Sequence, residues 1–118
     1  FLVMRQHTQK VLQDLFYEIL LFLITVFIIA LSWKNNILTL VLLLILWAIP
    51  VFGWPKKGDL SYFLIAFILG PIGEIVAIKF GALQYSNPNF LGIPIWLPVL
   101  WGCLAILFNR LISIFKQE

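Results

Sequence analysis

The chain has 118 residues, of which 63% are hydrophobic and only 11% charged, and its formal net charge is +3. A water-soluble domain carries about 25% charged residues, so this composition excludes an ordinary soluble fold and points to lipid as the solvent. Helices of roughly 20 apolar residues are needed to cross a bilayer, and four of them with short connections use up nearly the whole length, leaving no room for a separate soluble domain.

The chain opens on Phe1, not Met, so residues can precede it. Its first segment mixes Arg5, Gln6, His7, Gln9, Lys10, Gln13 and Asp14 with Leu2, Val3, Val11 and Leu12, a pattern that fits a solvated leader or a short interfacial helix. The apolar stretch that follows lies too far along and runs too long for a signal peptide, and it reads as a retained span over residues 15–33. Trp33, Lys34, Asn35 and Asn36 then supply an interfacial aromatic, a charge and turn formers. A second span covers residues 37–54 and is almost purely aliphatic up to Pro50, and the run from Gly53 to Asp59 is the clearest turn in the chain. A third span covers 60–83 and contains Gly70-Pro71, a pair that removes a backbone hydrogen bond and favours a kink. After the uncharged loop from Gln84 to Asn89, Pro94 and Pro98 suit the start of a fourth span over 94–115. The expected fold is all-α, a single membrane bundle of four transmembrane helices.

Orientation follows from the basic residues. Arg5, Lys10, Lys56, Lys57, Arg110 and Lys116 fall on one side of this bundle and only Lys34 and Lys79 on the other. That bias places both termini in the cytoplasm. Because the basic residues are scattered over helix ends, they mark membrane orientation and no nucleic-acid partner is expected. His7 has no companions at metal spacing, Cys103 stands alone inside an apolar span, and no metal site is expected. The motifs of soluble hydrolases and nucleotide enzymes are missing.

Ionisable groups inside spans mark function by default, which selects Glu74, Glu18, Lys79 and Arg110. Glu18 stands near the cytoplasmic surface, in reach of Lys10, Arg110 or Lys116. Lys79 can snorkel to water, and Arg110 reads most simply as an interfacial anchor. Glu74 is the deep one, about 21 Å beyond Leu60 along a helix rising roughly 1.5 Å per residue. At about 100° per residue Ala66, Gly70, Gly73, Ala77 and Gly81 share its face in a stripe that favours close helix packing. Two roles are open to Glu74: a carboxyl that hydrogen-bonds a neighbouring helix, or a proton-transfer, ligand-binding or catalytic group. Most tryptophans and tyrosines lie toward span ends, as in an interfacial aromatic belt, with Trp47 the deepest.

From Gly70 to Gly102, an acid follows the Gly-Pro pair, then come F-G-A-L-Q-Y, a polar loop, and L-G-I-P-I-W-L-P-V-L-W. This half resembles the membrane-embedded carotenoid hydratases, more loosely the small lycopene cyclase subunits, and also small bacterial membrane proteins of unknown function. The resemblance implies Glu74 as the acid toward a polyene, with Tyr85, Pro94 and Pro98 shaping the mouth of the site. The hydratases are about twice as long, and the cyclase subunits carry an acidic pair where this chain has Ile95-Trp96, so an enzyme would need a second chain to complete its pocket. A proton-coupled transporter is the other class, because small multidrug exporters set one glutamate in a Gly-rich span. In those the glutamate lies in the first span, not the third. The leading expectation is an accessory or ligand-binding subunit built around Glu74. Its partners are the lipid bilayer, other membrane chains or a second copy, and an apolar isoprenoid ligand. Whether it is an enzyme stays open, and no cofactor is indicated.

Overall fold

A computed structural model describes residues 2–116. It consists of four helices: α1 (Leu2–Ser32), α2 (Asn36–Gly53), α3 (Asp59–Lys79) and α4 (Leu97–Phe115). Each is long and apolar enough to cross a membrane, which makes this a multi-pass membrane protein of all-α class. Among the described residues the only β pairing is an isolated bridge between Phe90 and Ile93.

The helix ends follow from local chemistry. The leader does not form a separate element but continues into α1, whose 31 residues make it the longest helix. At about 1.5 Å per residue it exceeds a hydrocarbon layer of roughly 30 Å, so its first turns extend past the layer. The side chain of Asn35 caps α2 by accepting the Leu38 N–H at 3.1 Å. Helix α3 runs through Gly70-Pro71 and ends at Lys79, short of the expected Leu83. Gly81, at φ +82°, provides the left-handed residue that stops it. Ala82 N–H reaches the Ala77 carbonyl and Gly81 N–H that of Ile78, closing a Schellman motif. Helix α4 begins at Leu97 with Pro98 in its first turn, while Pro94 lies ahead of it and accepts the Leu97 N–H.

Helix α4 is the hub. Its buried residues Val99, Gly102, Cys103, Ile106, Asn109, Arg110 and Ile114 recur at three and four positions, giving one continuous inward face. Helix α3 packs most extensively on α4, α1 packs on α4 and α2, and α2 touches α4 more lightly, whereas α2 and α3 share no comparable interface. The α3–α4 seam depends on two glycines. A Cβ on Gly70 would collide with the Trp101 ring and one on Gly102 with the Phe63 ring, so each glycine lets the other helix bring an aromatic side chain close against its backbone.

Deep between α1 and α2, Trp47 Nε1 donates to Thr25 Oγ1 at 3.0 Å, and Ser32 and Thr39 hydroxyls meet at 2.8 Å. At the end of the bundle near the α1–α2 turn, Asn36 Nδ2 donates to the Asn87 carbonyl at 2.7 Å, Trp96 Nε1 donates to Asn36 Oδ1 at 3.0 Å, and Asn87 Nδ2 reaches the Lys34 carbonyl at 2.9 Å. These bonds tie the α1–α2 turn to the α3–α4 loop. Trp96 is therefore a buried donor inside the bundle instead of a belt residue, and Trp47, the deepest tryptophan in the sequence, is a buried donor as well.

Because the Gly102 backbone meets the Phe63 ring, Gly102→Leu should overpack the α3–α4 seam and lower stability by about 1–3 kcal/mol. Unfolding by denaturing detergent in mixed micelles measures this; an unchanged midpoint would mean that α3 does not press on α4 at Phe63.

Candidate functional site

The structure distributes the polar side chains of the spans into two clusters and leaves an apolar cleft between helices. The first cluster centres on Glu74, one turn past Pro71 on α3. Tyr85 Oη donates to one of its carboxylate oxygens and Trp101 Nε1 to the other. Tyr85 comes from the α3–α4 loop and Trp101 from α4, so the carboxylate joins three successive parts of the chain. Burial pushes the Tyr85 phenol above its usual range, and its hydrogen bond to Glu74 and the nearby carboxylate charge push the same way. Tyr85 thus stays a neutral donor.

Of the residues that sequence reasoning grouped around Glu74, Ala66, Gly70 and Gly73 line an open groove with Leu69, Glu74 and Trp101, about 390 Å³ in volume. Gly70 is packed under Trp101, but a Cβ on Gly73 would meet nothing within 4 Å. Ala77 is half-buried farther along α3, and Gly81 lies beyond the helix as its stop. Tyr85 contacts Glu74 directly. Pro94 is fully buried ahead of α4 and Pro98 is half-buried in its first turn, and neither borders the groove. Lys79 is exposed in the last turn of α3.

The second cluster lies at the other end of α3 and was read only in part. Arg110 is no interfacial anchor: it is 2% exposed, and its Nη2 donates to Asp59 Oδ2 at 2.7 Å and to the Pro50 carbonyl at 3.1 Å. Asp59 opens α3, where the helix dipole favours an acid, and its Oδ2 also accepts the Lys56 N–H at 3.1 Å. Asn109 donates to Asp59 Oδ1 at 2.9 Å and to the Lys57 carbonyl at 3.1 Å. Gly58 adopts φ +94°, and a Cβ there would stand 3.2 Å from Asn109 Oδ1. The α2–α3 turn is thus fastened onto α4 by two adjacent side chains. Glu18 of α1, 4% exposed, borders the same cluster, sharing a small cavity with Arg110, Lys56 and Trp54. The signal available in the sequence was the pairing of an acid at the start of one span with a basic residue near the end of another.

Between the clusters, a cleft of about 400 Å³ opens where α2 and α3 fail to meet. Leu43, Trp47, Val51, Phe63, Cys103 and Ile106 form its walls, and Lys56 and Asp59 mark one end. Among the described residues no group of three His, Cys, Asp or Glu side chains could hold a metal ion.

A family model described as a protein of unknown function, DUF2878, matches residues 15–118. The chain belongs to this family. The match takes in all the polar residues of both clusters and begins on α1 just after Asp14 and shortly before Glu18. The family description carries no activity. No curated protein matches the chain, carotenoid hydratases and lycopene cyclases included, and no solved structure does.

Removing one partner of a buried ion pair leaves an uncompensated charge, so Asp59→Ala should cost about 3–5 kcal/mol. The double variant Asp59→Leu with Arg110→Met should cost less than Asp59→Ala. A double variant as unstable as the single one would show that Arg110 stabilises the bundle independently of Asp59, a comparison that thermal unfolding in detergent provides.

Proposed function

We propose that this DUF2878 member is a membrane-embedded binding protein for one long apolar chain, of lipid or isoprenoid class, held in the cleft between α2, α3 and α4. The observation that carries this is the cleft itself. Its volume lies within the range of roughly 300–1,000 Å³ typical of small-molecule sites, and its walls are almost wholly aliphatic or aromatic. Its polar end supports an amphiphile with an anionic headgroup. Asp59 is neutralised by Arg110, which leaves the exposed Lys56 as the free charge at the mouth, with Lys57 beside it. Glu74 lies on another groove with both oxygens engaged, which supports binding over an acid poised against a polyene.

A second reading, docking to a larger membrane chain, is supported by the groove beside Gly73. Small residues there leave room for another helix at close approach. In this reading Gly73→Leu would block copurification of the partner while leaving the α2–α3 cleft alone.

Organic extraction and mass spectrometry of protein purified in mild detergent tests the binding reading. One amphiphile enriched over its share of the membrane is expected, with Ala48→Phe, which fills the cleft wall, reducing it several-fold. Lipids recovered in bulk proportions from both proteins would sink the proposal. Both ends are proposed to lie in the cytoplasm: reporters that fluoresce only there should be bright at either terminus, and a dark reporter at either end would refute this arrangement.

A further inference from the structure

The small cavity between α1, the end of α2 and α4 is distinct from the apolar cleft and shares only Lys56 with it. Its lining is Asp14, Tyr17, Glu18, Trp54, Lys56, Arg110, Ser113 and Ile114, and its volume is about 70 Å³. A water molecule needs roughly 10–15 Å³ measured this way, so the cavity admits a few waters and is too small for an organic ligand. Two of its walls are incompletely satisfied. Glu18 Oε1 has no hydrogen-bond partner among the described residues, nor do Arg110 Nε and Nη1, and both residues are more than nine-tenths buried. Arg110 spends only Nη2 on Asp59 and Pro50. Buried polar atoms left unpaired are costly, and a carboxylate oxygen and two guanidinium N–H groups on one polar cavity suit a guest that both donates and accepts.

Charge narrows the guest further. The ionised groups around Glu18 are Asp14 on its own helix, Lys56 and Asp59 from the α2–α3 turn, and Arg110 from α4, with the Tyr17 phenol also at the wall. The guanidinium stands against a metal cation, and the carboxylates stand against an anion. A proton meets both constraints.

We propose that the Glu18–Arg110 cavity is a hydrated proton-binding site, in which Glu18 takes up and releases the proton and Arg110 supplies a positive charge on the same cavity. Water carries the proton from the polar end of the bundle, the O–H bond forms at the unpaired Oε1, and its breaking returns the proton to water and leaves the carboxylate. No other bond changes.

The test uses the whole protein in lipid nanodiscs with glutamate labelled at the side-chain carboxyl carbon. The chain contains only Glu18, Glu74 and Glu118, so three signals suffice. Glu74→Gln and truncation of Glu118 identify the Glu18 signal without altering Glu18. The expected result is a Glu18 carbon resonance that moves between its carboxylate and acid positions as pH is lowered. A carbonyl-stretch infrared band of the acid should accompany it, shift in heavy water and vanish in Glu18→Gln. A Glu18 signal fixed at one position across the whole range would overturn the proposal, as would an acid band that does not respond to heavy water. Either would make Glu18 a static group on the cavity wall.

Discussion

The buried ion pair between Arg110 and Asp59 is the constraint on which the rest of the bundle's geometry turns. In a low-dielectric interior the pair is no large net source of stability, because both charges leave water to form it. Its effect is on position. Arg110 also reaches the Pro50 carbonyl, so one guanidinium fixes the end of α2, the start of α3 and the last turns of α4 together. Sliding α3 along α4 would break that bond and at the same time push Gly70 and Gly102 away from Trp101 and Phe63. The polar lock and the two aromatic contacts specify the same register.

Helix α3 is held at its two ends more than along its side. Asp59 secures one end on α4, and Glu74, through Tyr85 and Trp101, secures the helix farther along. Nothing comparable links it to α2, and the apolar cleft is the result. An apolar gap costs little in a membrane, where lipid tails are as apolar as leucine. The cleft therefore has its origin in the same arrangement of polar contacts that fixes the register of α3 on α4.

The four spans were legible because hydropathy and the turn residues around Lys34 and Lys56 mark them directly. Boundaries moved where local capping decided: Gly81 reads as one more small residue in a stripe, yet its positive φ ends α3. The leader's polar residues gave no break, and α1 simply begins at Leu2. What sequence reasoning missed were partners far apart in the chain. Asp59 looked like a turn residue and Arg110 like an anchor, since each taken alone fits the end of a span. Asn36 likewise reads as a turn former and Asn87 and Asn89 as part of an uncharged loop, although together they join two loops through hydrogen bonds. Glu74 was found from its depth, and Tyr85 touches it, but the small-residue stripe divided into a packed part at Gly70 and an open part at Gly73.

The apolar composition itself argues for where chemistry can reside. Each ionisable group retained inside such a chain must be paired, solvated through a cavity, or neutralised. Asp59 is paired, and Glu74 is surrounded by donors on both oxygens. Glu18 is left with an unpaired oxygen on a cavity of water size, whose wall also carries Arg110 with two unpaired guanidinium nitrogens. It lies within the region that the family model covers, close to where that region begins. A bundle designed only to pack would gain by an apolar residue at that position, because leucine or methionine fills comparable volume without an unsatisfied oxygen. The carboxyl at position 18 is thus better accounted for by exchange with water than by helix packing.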